Sequence, residues 1–381
     1  MSGAMLFPSR RLRATPYTSR VTALGVSGFT VYNHMLLPTT FEGLREDYSH
    51  LKKYVQIWDV AVERQVQIEG PDAHKLACMI SARDLSKAQV GRSYYAPVCD
   101  QNGKMINDPV ALRLANDKYW FSIADSDLLL WVQGISLGLD LDVDICEPDV
   151  SPLAIQGPMS EDLLVDVFGE DIRNIRFFHF KAFPFKGRML NIARAGYSKQ
   201  GGFEIYLDDS NLGGDLWDAI WEKGEKYNIR PGCPNLIERI ESGLLSYGND
   251  MNREDTPLEI GLEKFINLDG DSNFIGKQAL INQRNTGVEK RLMGIEMDGV
   301  EMTPVAMPEA VMVDGQKVGT LTSAVYSPDY IGNIGFTMIS AEHAHDGAKV
   351  IVESAQGFRN GIICEVGTLL KRVQDNEALY S

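Results

Sequence analysis

Residues 153–169 read LAIQGPMSEDLLVDVFG, a short apolar strand, a Gly-Pro turn and an amphipathic helix. Residues 65–80, QVQIEGPDAHKLACMI, run in the same order. There the alternation Val60, Val62, Val66, Ile68 predicts a strand, and a helix is expected to open at Pro71 with Asp72 in its first turn, where a carboxylate favours the helix dipole. The recurrence points to an internal duplication of an α+β unit.

Outward from this pair, Leu51, Tyr54 and Val55 give residues 48–66 an apolar helical face. Residues 93–124 read as short strands separated by Asn-Gly and Asn-Asp turns. Residues 125–139, 215–227 and 235–248 read as helices, and residues 189–207, MLNIARAGYSKQGGFEIYL, as two strands flanking a Gly-rich kink. Past Lys290 short strands predominate. The expected division is a larger region over residues 1–286 with two related α+β units, a small antiparallel β-barrel-like domain over 287–375, and a tail over 376–381.

The chain has 381 residues with 37 Lys+Arg against 52 Asp+Glu, a net charge of −15, which argues against a nucleic-acid or anionic-membrane partner. No apolar run approaches the roughly 20 residues of a membrane span, and no signal-peptide pattern opens the chain, so a cytoplasmic protein is expected. Residues 1–4 read as a possible cloning remnant ahead of Met5, and Arg10, Arg11, Arg13 and Arg20 form a basic arm, either solvated or in contact with an anionic ligand or partner subunit. The five cysteines lie far apart without a CxxC pair, and the six histidines are scattered, so no disulfide framework and no metal site is expected. No GxGxxG, Walker, GxSxG or HExxH motif is present.

What the chain offers instead is carboxylates and aromatics at strand ends: Tyr95, Asp108, Tyr197, Glu204 and Tyr206. Such a set suits a flat heteroaromatic ligand, with rings against its faces and a carboxylate accepting two hydrogen bonds from an NH and NH₂ edge. Plainer readings stand beside these: Asp108 as a turn residue and Glu204 as an exposed strand residue, and, elsewhere in the chain, Trp120 as core and Lys199 as a solvated loop lysine.

With these residues in place, the chain resembles the glycine-cleavage T-protein (aminomethyltransferase) family, whose members bind tetrahydrofolate. The resemblance runs over nearly the whole chain, through IWDVAVERQVQIEGPDA, SYYAPVCDQNGKMINDPVALRL, GYSKQGGFEIYL, ERIESGLLSYGNDMNREDTPLEIGLEKFI, NFIGKQAL and VGTLTSAVYSPDYIGNIGFTMI in order. It implies an α+β, three-part cloverleaf-like folate-binding fold with a C-terminal antiparallel β-domain. It also implies that Glu204 holds the pterin, with Tyr95, Ser122, Phe178, Tyr197, Gly201 and Gly202 as further cofactor-binding residues and Asp108 as the catalytic carboxylate. Five positions depart from the family pattern: Asn107 precedes Asp108 in place of an Asp, Lys199-Gln200 replaces Gly-Glu, Ile123 replaces an Asn, and Asn235 replaces an Arg.

These departures disfavour a lipoyl-bound aminomethyl substrate. Together with TVYNHMLLPT, SIADSDLLLW and PNLIERIESGLLSYGNDM, the chain looks like a narrower branch, the tetrahydrofolate-dependent dimethylsulfoniopropionate demethylases. That branch implies a sulfonium substrate, for which Tyr32, Trp120 and Tyr206 are candidate aromatic contacts and Lys199 a candidate carboxylate partner. Another methylated amine or betaine is the alternative substrate, and a homodimer is the expected assembly.

Overall fold

A computed structural model describes residue 9, residues 11–305 and residues 307–380, with side chains through residue 376. The suspected remnant at residues 1–4 and Arg10 lie outside the described residues. By packing, the chain forms two compact units. One takes the chain up to Ala77, Ala88–Tyr94 and Pro109–Asn235; the other takes Cys78–Lys87, Tyr95–Asp108 and the chain from Leu236 on.

The first unit holds two sheets. One is five-stranded, in the order Asp144–Cys146, Gln65–Glu69, Lys118–Ser122, Val110–Ala115, Arg92–Tyr95. The other is six-stranded, in the order Phe180–Phe185, Arg188–Ala193, Gly202–Leu207, Ser151–Gln156, Gln56–Asp59, Arg230–Gly232, with only the last strand parallel to its neighbour. The recurring strand–Gly-Pro–helix segment appears once after a strand of each sheet, leading into the helices Ala73–Ile80 and Ser160–Phe168. Its glycine is required at the second copy: Gly157 has φ 116°, and a Cβ there would lie 2.2 Å from the Tyr54 carbonyl oxygen.

Two local expectations need correction. The first helix opens at Ala73, leaving Pro71 in the preceding turn. The strand expected through Val60–Ile68 is two strands, Gln56–Asp59 and Gln65–Glu69, in different sheets. Asp59 breaks it: Oδ1 accepts from the Ala61 amide at 3.2 Å and Oδ2 from Thr15 Oγ1 at 2.5 Å, so the chain turns while Val60 and Val62 stay buried.

Burial pushes the Asp59 carboxyl up to about 7, against which the Thr15 and Ala61 hydrogen bonds pull down. The sign of the linkage follows. An unfolded Asp ionises near 4, so between pH 4 and 7 the native state holds the extra proton, and this contribution to stability is lost as pH rises through about 7. Asp59→Asn is expected to gain stability relative to the parent by at least ~1 kcal/mol between pH 4.5 and 7.5. Urea unfolding at the two pH values measures it; a constant difference would contradict it.

The core of the six-stranded sheet is built from Leu153, Ile155, Phe203 and Ile205 against Leu163, Leu164, Leu216, Trp217 and Ile220 of the helices Ser160–Phe168 and Gly213–Gly224. A separate cluster gathers Leu112 and Trp120 with Phe180, Ala193 and Tyr206. Of the basic arm, Arg13 pairs with Glu147 at 2.8 Å and Arg20 grips Asp218 with two nitrogens at 2.6 and 2.9 Å, so both are engaged within the protein itself.

The second unit contains a closed antiparallel barrel of six strands, in the order Lys290–Met297, Gly332–Ser340, Gln316–Ser327, Glu309–Val313, Lys349–Ser354, Gly357–Cys364. Met293, Met297 and Met302 belong to its core with Ile295, Val311 and Leu321. The helix expected over residues 235–248 is short, Leu236–Ser242, and ends at Gly243 with φ 70°. Within the unit the buried Arg239 donates to Asp250 Oδ2 at 2.7 Å and to Ser323 Oγ at 2.5 Å. The last segment, Val366–Tyr380, is a helix that the sequence reading did not anticipate.

Candidate active site

The strand Gly202–Leu207 is buried along its length and alternates, so Glu204 and Tyr206 project to one face. Both are buried, and the Tyr206 hydroxyl donates to Glu204 Oε2 at 2.9 Å. Burial raises the Glu204 carboxyl, and the Tyr206 bond opposes the rise. No second hydrogen bond reaches the Glu204 carboxylate from the described residues, so it keeps acceptor capacity for a ligand edge.

The loop before this strand is folded around one side chain. The Gln156 amide donates to the Ala195 carbonyl at 3.2 Å, and Ser198 Oγ donates to Gln156 Oε1 at 2.9 Å. A Cβ at Gly196 would lie 2.1 Å from Gln156 Nε2, and one at Gly202 would lie 2.4 Å from it. Gly201 accepts the Gly157 amide at 2.9 Å. The glycines of GYSKQGG therefore let the loop close over Gln156. Tyr197 packs on Leu51, Trp58, Val60 and Ala154, while Lys199 is exposed.

Phe178 adopts φ 57°, a region an aromatic residue occupies at a cost of about 1–2 kcal/mol. Its amide donates to the Arg194 carbonyl at 3.0 Å, and its carbonyl accepts the Ser93 amide at 2.9 Å, which clamps it there. Held strain of this kind concentrates where a side chain must be aimed. Tyr32 ends one strand of the hairpin Gly28–Tyr32 and Met35–Thr40, whose turn residues Asn33 and His34 have φ 49° and 60°. Asn33 Nδ2 donates to the carbonyls of Val62 at 3.0 Å and Ala124 at 3.2 Å, so the hairpin tip is anchored just past the strand that carries Ser122.

Trp120 and Tyr206, candidate substrate contacts from sequence, are core residues. They are 6% and 1% exposed, their rings lie 6.0 Å apart, and Trp120 Nε1 donates to Gln67 Oε1 at 2.9 Å. Ser122 is buried as well, and its Oγ accepts from Gln65 Nε2 at 3.0 Å. Gln65, Gln67 and Gln156 were missed from sequence. The signal was there in part: glutamines alternating within the otherwise apolar strand around Val66 and Ile68 are unusual on a buried sheet.

In the second unit, Tyr95 OH donates to Asp108 Oδ2 at 2.9 Å. Asp108 Oδ1 is solvent-inaccessible and has no hydrogen-bond partner among the described residues. Burial pushes this carboxyl up to about 7. A buried acceptor atom so left open is costly unless a ligand or proton completes it. The Tyr95 ring meets Phe265 edge-on at 4.8 Å, and Arg83 and Lys264 lie over the Phe265 ring at 5.7 and 4.9 Å. Asp108 follows the strand Met105–Asn107, which the Met105 amide ties to the Asp255 carbonyl at 2.8 Å.

Each unit thus holds a buried carboxylate with open acceptor capacity beside aromatic side chains, on an α+β scaffold with a barrel. The family described as GCVT N-terminal domain matches residues 17–270, and that described as glycine cleavage T-protein C-terminal barrel domain matches residues 290–365. The chain therefore belongs to the glycine cleavage T-protein family. Within it, the chain is 50% identical over 356 residues to the dimethylsulfoniopropionate demethylase DmdA of Ruegeria pomeroyi, covering 93% of this chain and 97% of that one. It is 30% identical to an aminomethyltransferase of Caldanaerobacter subterraneus, over 83% of this chain and 85% of that one. The crystal structure of the glycine cleavage aminomethyltransferase T from Bartonella henselae superposes with a TM-score of 0.84 at 19% identity, over 93% of this chain and 97% of that one, so the two share a fold.

Proposed function

We propose that this enzyme transfers one methyl group from the sulfonium of dimethylsulfoniopropionate to N5 of tetrahydrofolate, giving methylmercaptopropionate and 5-methyltetrahydrofolate. The observation that carries the reading is the 50% identity to a dimethylsulfoniopropionate demethylase along 93% of the chain. The residues present fit tetrahydrofolate: a buried Glu204 with unused acceptor capacity suits an NH and NH₂ edge, and Asp108 Oδ1 is an acceptor with no internal partner among the described residues.

The chemistry asks little of the protein in bonds and much in placement. N5 attacks the methyl carbon, the S–CH₃ bond breaks with its electron pair going to sulfur, and the leaving group is a neutral thioether that needs no proton. Glu204 fixes the pterin edge. Holding donor and acceptor in line supplies several kcal/mol. Asp108 accepts the proton that N5 loses, directly or through water, and its carboxyl near 7 is matched to that task. Tyr32 and the clamped Phe178 remain the aromatic candidates for the sulfonium, at roughly 0.5–2 kcal/mol each. Lys199 is the candidate for the substrate carboxylate.

We keep residues 1–286 as the folate-binding catalytic region and 287–375 as a C-terminal domain, supported by the barrel strands over residues 290–364. None of the five cysteines is in a disulfide, as suits the cytoplasm. No described helix is long and apolar enough to cross a membrane.

The test is product analysis of enzyme, tetrahydrofolate and dimethylsulfoniopropionate. Equal amounts of methylmercaptopropionate and 5-methyltetrahydrofolate are expected; neither product, with turnover of a betaine instead, would overturn the assignment.

A further inference from the structure

Two hydrogen-bonded pairs of polar side chains on three strands of the first unit, Gln65 with Ser122 and Tyr206 with Glu204, involve the candidate pterin carboxylate and its surroundings. Gln65 Nε2 donates to Ser122 Oγ at 3.0 Å and also to the Glu63 carbonyl at 2.8 Å. The Tyr206 hydroxyl donates to Glu204 Oε2 at 2.9 Å, and Ser122 lies near enough to Tyr206 to favour its ionised form. Register aligns the first pair, because Gln65 pairs directly with Ser122 across their two strands. Gln65, Ser122 and Tyr206 are 1%, 6% and 1% exposed, so none of them presents a surface to a ligand. The Tyr206 ring is fixed from the other side by Trp120, which Gln67 holds.

We propose that Tyr206, Ser122 and Gln65 are positioning residues that act on folate through Glu204, and that Tyr206 is not part of a sulfonium-binding aromatic cage. The inference rests on the folate reading of Glu204. The Tyr206 phenol has its proton directed at the carboxylate, so Glu204 is the acceptor of this pair. The donated bond does two things. It fixes the plane of the carboxylate, leaving the other acceptor sites for a pterin edge. It also favours the ionised form in a buried place where desolvation favours the neutral acid. The titratable groups acting here are Tyr206, on the same strand as Glu204, and Glu63, in the turn ahead of Gln65, whose charge acts on Tyr206.

The sequence shows why Tyr206 is easily misread. Tyr206 stands two residues past Glu204, on the same face of the strand, where an aromatic looks like a ligand contact. The strand Lys118–Ser122 closes that position and converts a ring face into core and a hydroxyl into a donor.

The experiment uses the full chain and measures tetrahydrofolate Kd across pH 6 to 9, together with KM for dimethylsulfoniopropionate, in Tyr206→Phe, Ser122→Ala and Glu204→Gln. Tyr206→Phe keeps the ring and its packing. It is expected to weaken folate about tenfold at pH 7, with the loss shrinking toward pH 9 as Glu204 ionises regardless, and to leave the sulfonium KM within twofold. Ser122→Ala is expected to weaken folate about threefold with the same pH trend. A raised sulfonium KM with folate Kd unchanged in Tyr206→Phe would restore the cage role and overturn the proposal. So would folate Kd unchanged in Tyr206→Phe while Glu204→Gln abolishes binding, which leaves the folate reading standing alone. If Glu204→Gln itself binds folate normally, the underlying reading falls and the proposal with it. A pH-independent loss would reduce these residues to packing and equally reject the proposal.

Discussion

Glu204→Ala is expected to weaken tetrahydrofolate binding by about 2 kcal/mol or more, roughly 30-fold, while the protein stays folded. Two charge-assisted hydrogen bonds to the pterin edge disappear, each worth about 1.5–3 kcal/mol when its donors are left dry. The loss should not reach the whole of that sum, because the parent carboxylate bears a desolvation penalty that alanine does not. The Tyr206 hydroxyl loses its Glu204 acceptor in this variant, so Glu204→Gln is the gentler comparison. Isothermal titration with tetrahydrofolate measures both. Near-normal affinity in Glu204→Ala would remove the folate placement altogether.

Asp108→Asn should lower turnover about 100-fold with a smaller effect on folate affinity, the usual range for losing a positioned proton acceptor. The pH dependence gives the sharper sign. With its carboxyl near 7, Asp108 is mostly protonated at pH 6 and mostly ionised at pH 8. Only the ionised form accepts a proton, so the parent rate should fall about tenfold per pH unit well below 7 and level off above it. The Asn variant should show no such limb. Tyr95 donates to Asp108 Oδ2, so Tyr95→Phe should move the limb upward. Turnover and folate affinity unchanged in Asp108→Asn would eliminate the role.

The fold was largely legible because its signals are local. A strand, a Gly-Pro turn and a helix recur after Val66 and after Leu153, and each recurrence meets a real backbone need, as the Gly157 contact with Tyr54 shows. The barrel strands past Lys290 were legible for a similar reason, through alternation between short turns. The break at Asp59 was not, since period-2 alternation continues through Val60 and Val62 although the chain changes sheets there.

Sequence by itself determined the α+β class, the recurring strand, Gly-Pro turn and helix, and the C-terminal antiparallel strands. It could do so because turn chemistry and side-chain period are properties of neighbouring residues. Only the tertiary structure showed which of the candidate aromatics are buried in core and which are half-exposed. Trp120, Tyr206, Tyr32 and Phe178 look alike along the chain, yet the first two are sealed in core and the last two sit half-buried at clamped backbone positions. Alternation says which face of a strand a residue takes, but what covers that face comes from another sheet more than 80 residues away, and that partner decides whether a tyrosine binds a cation or aims a carboxylate.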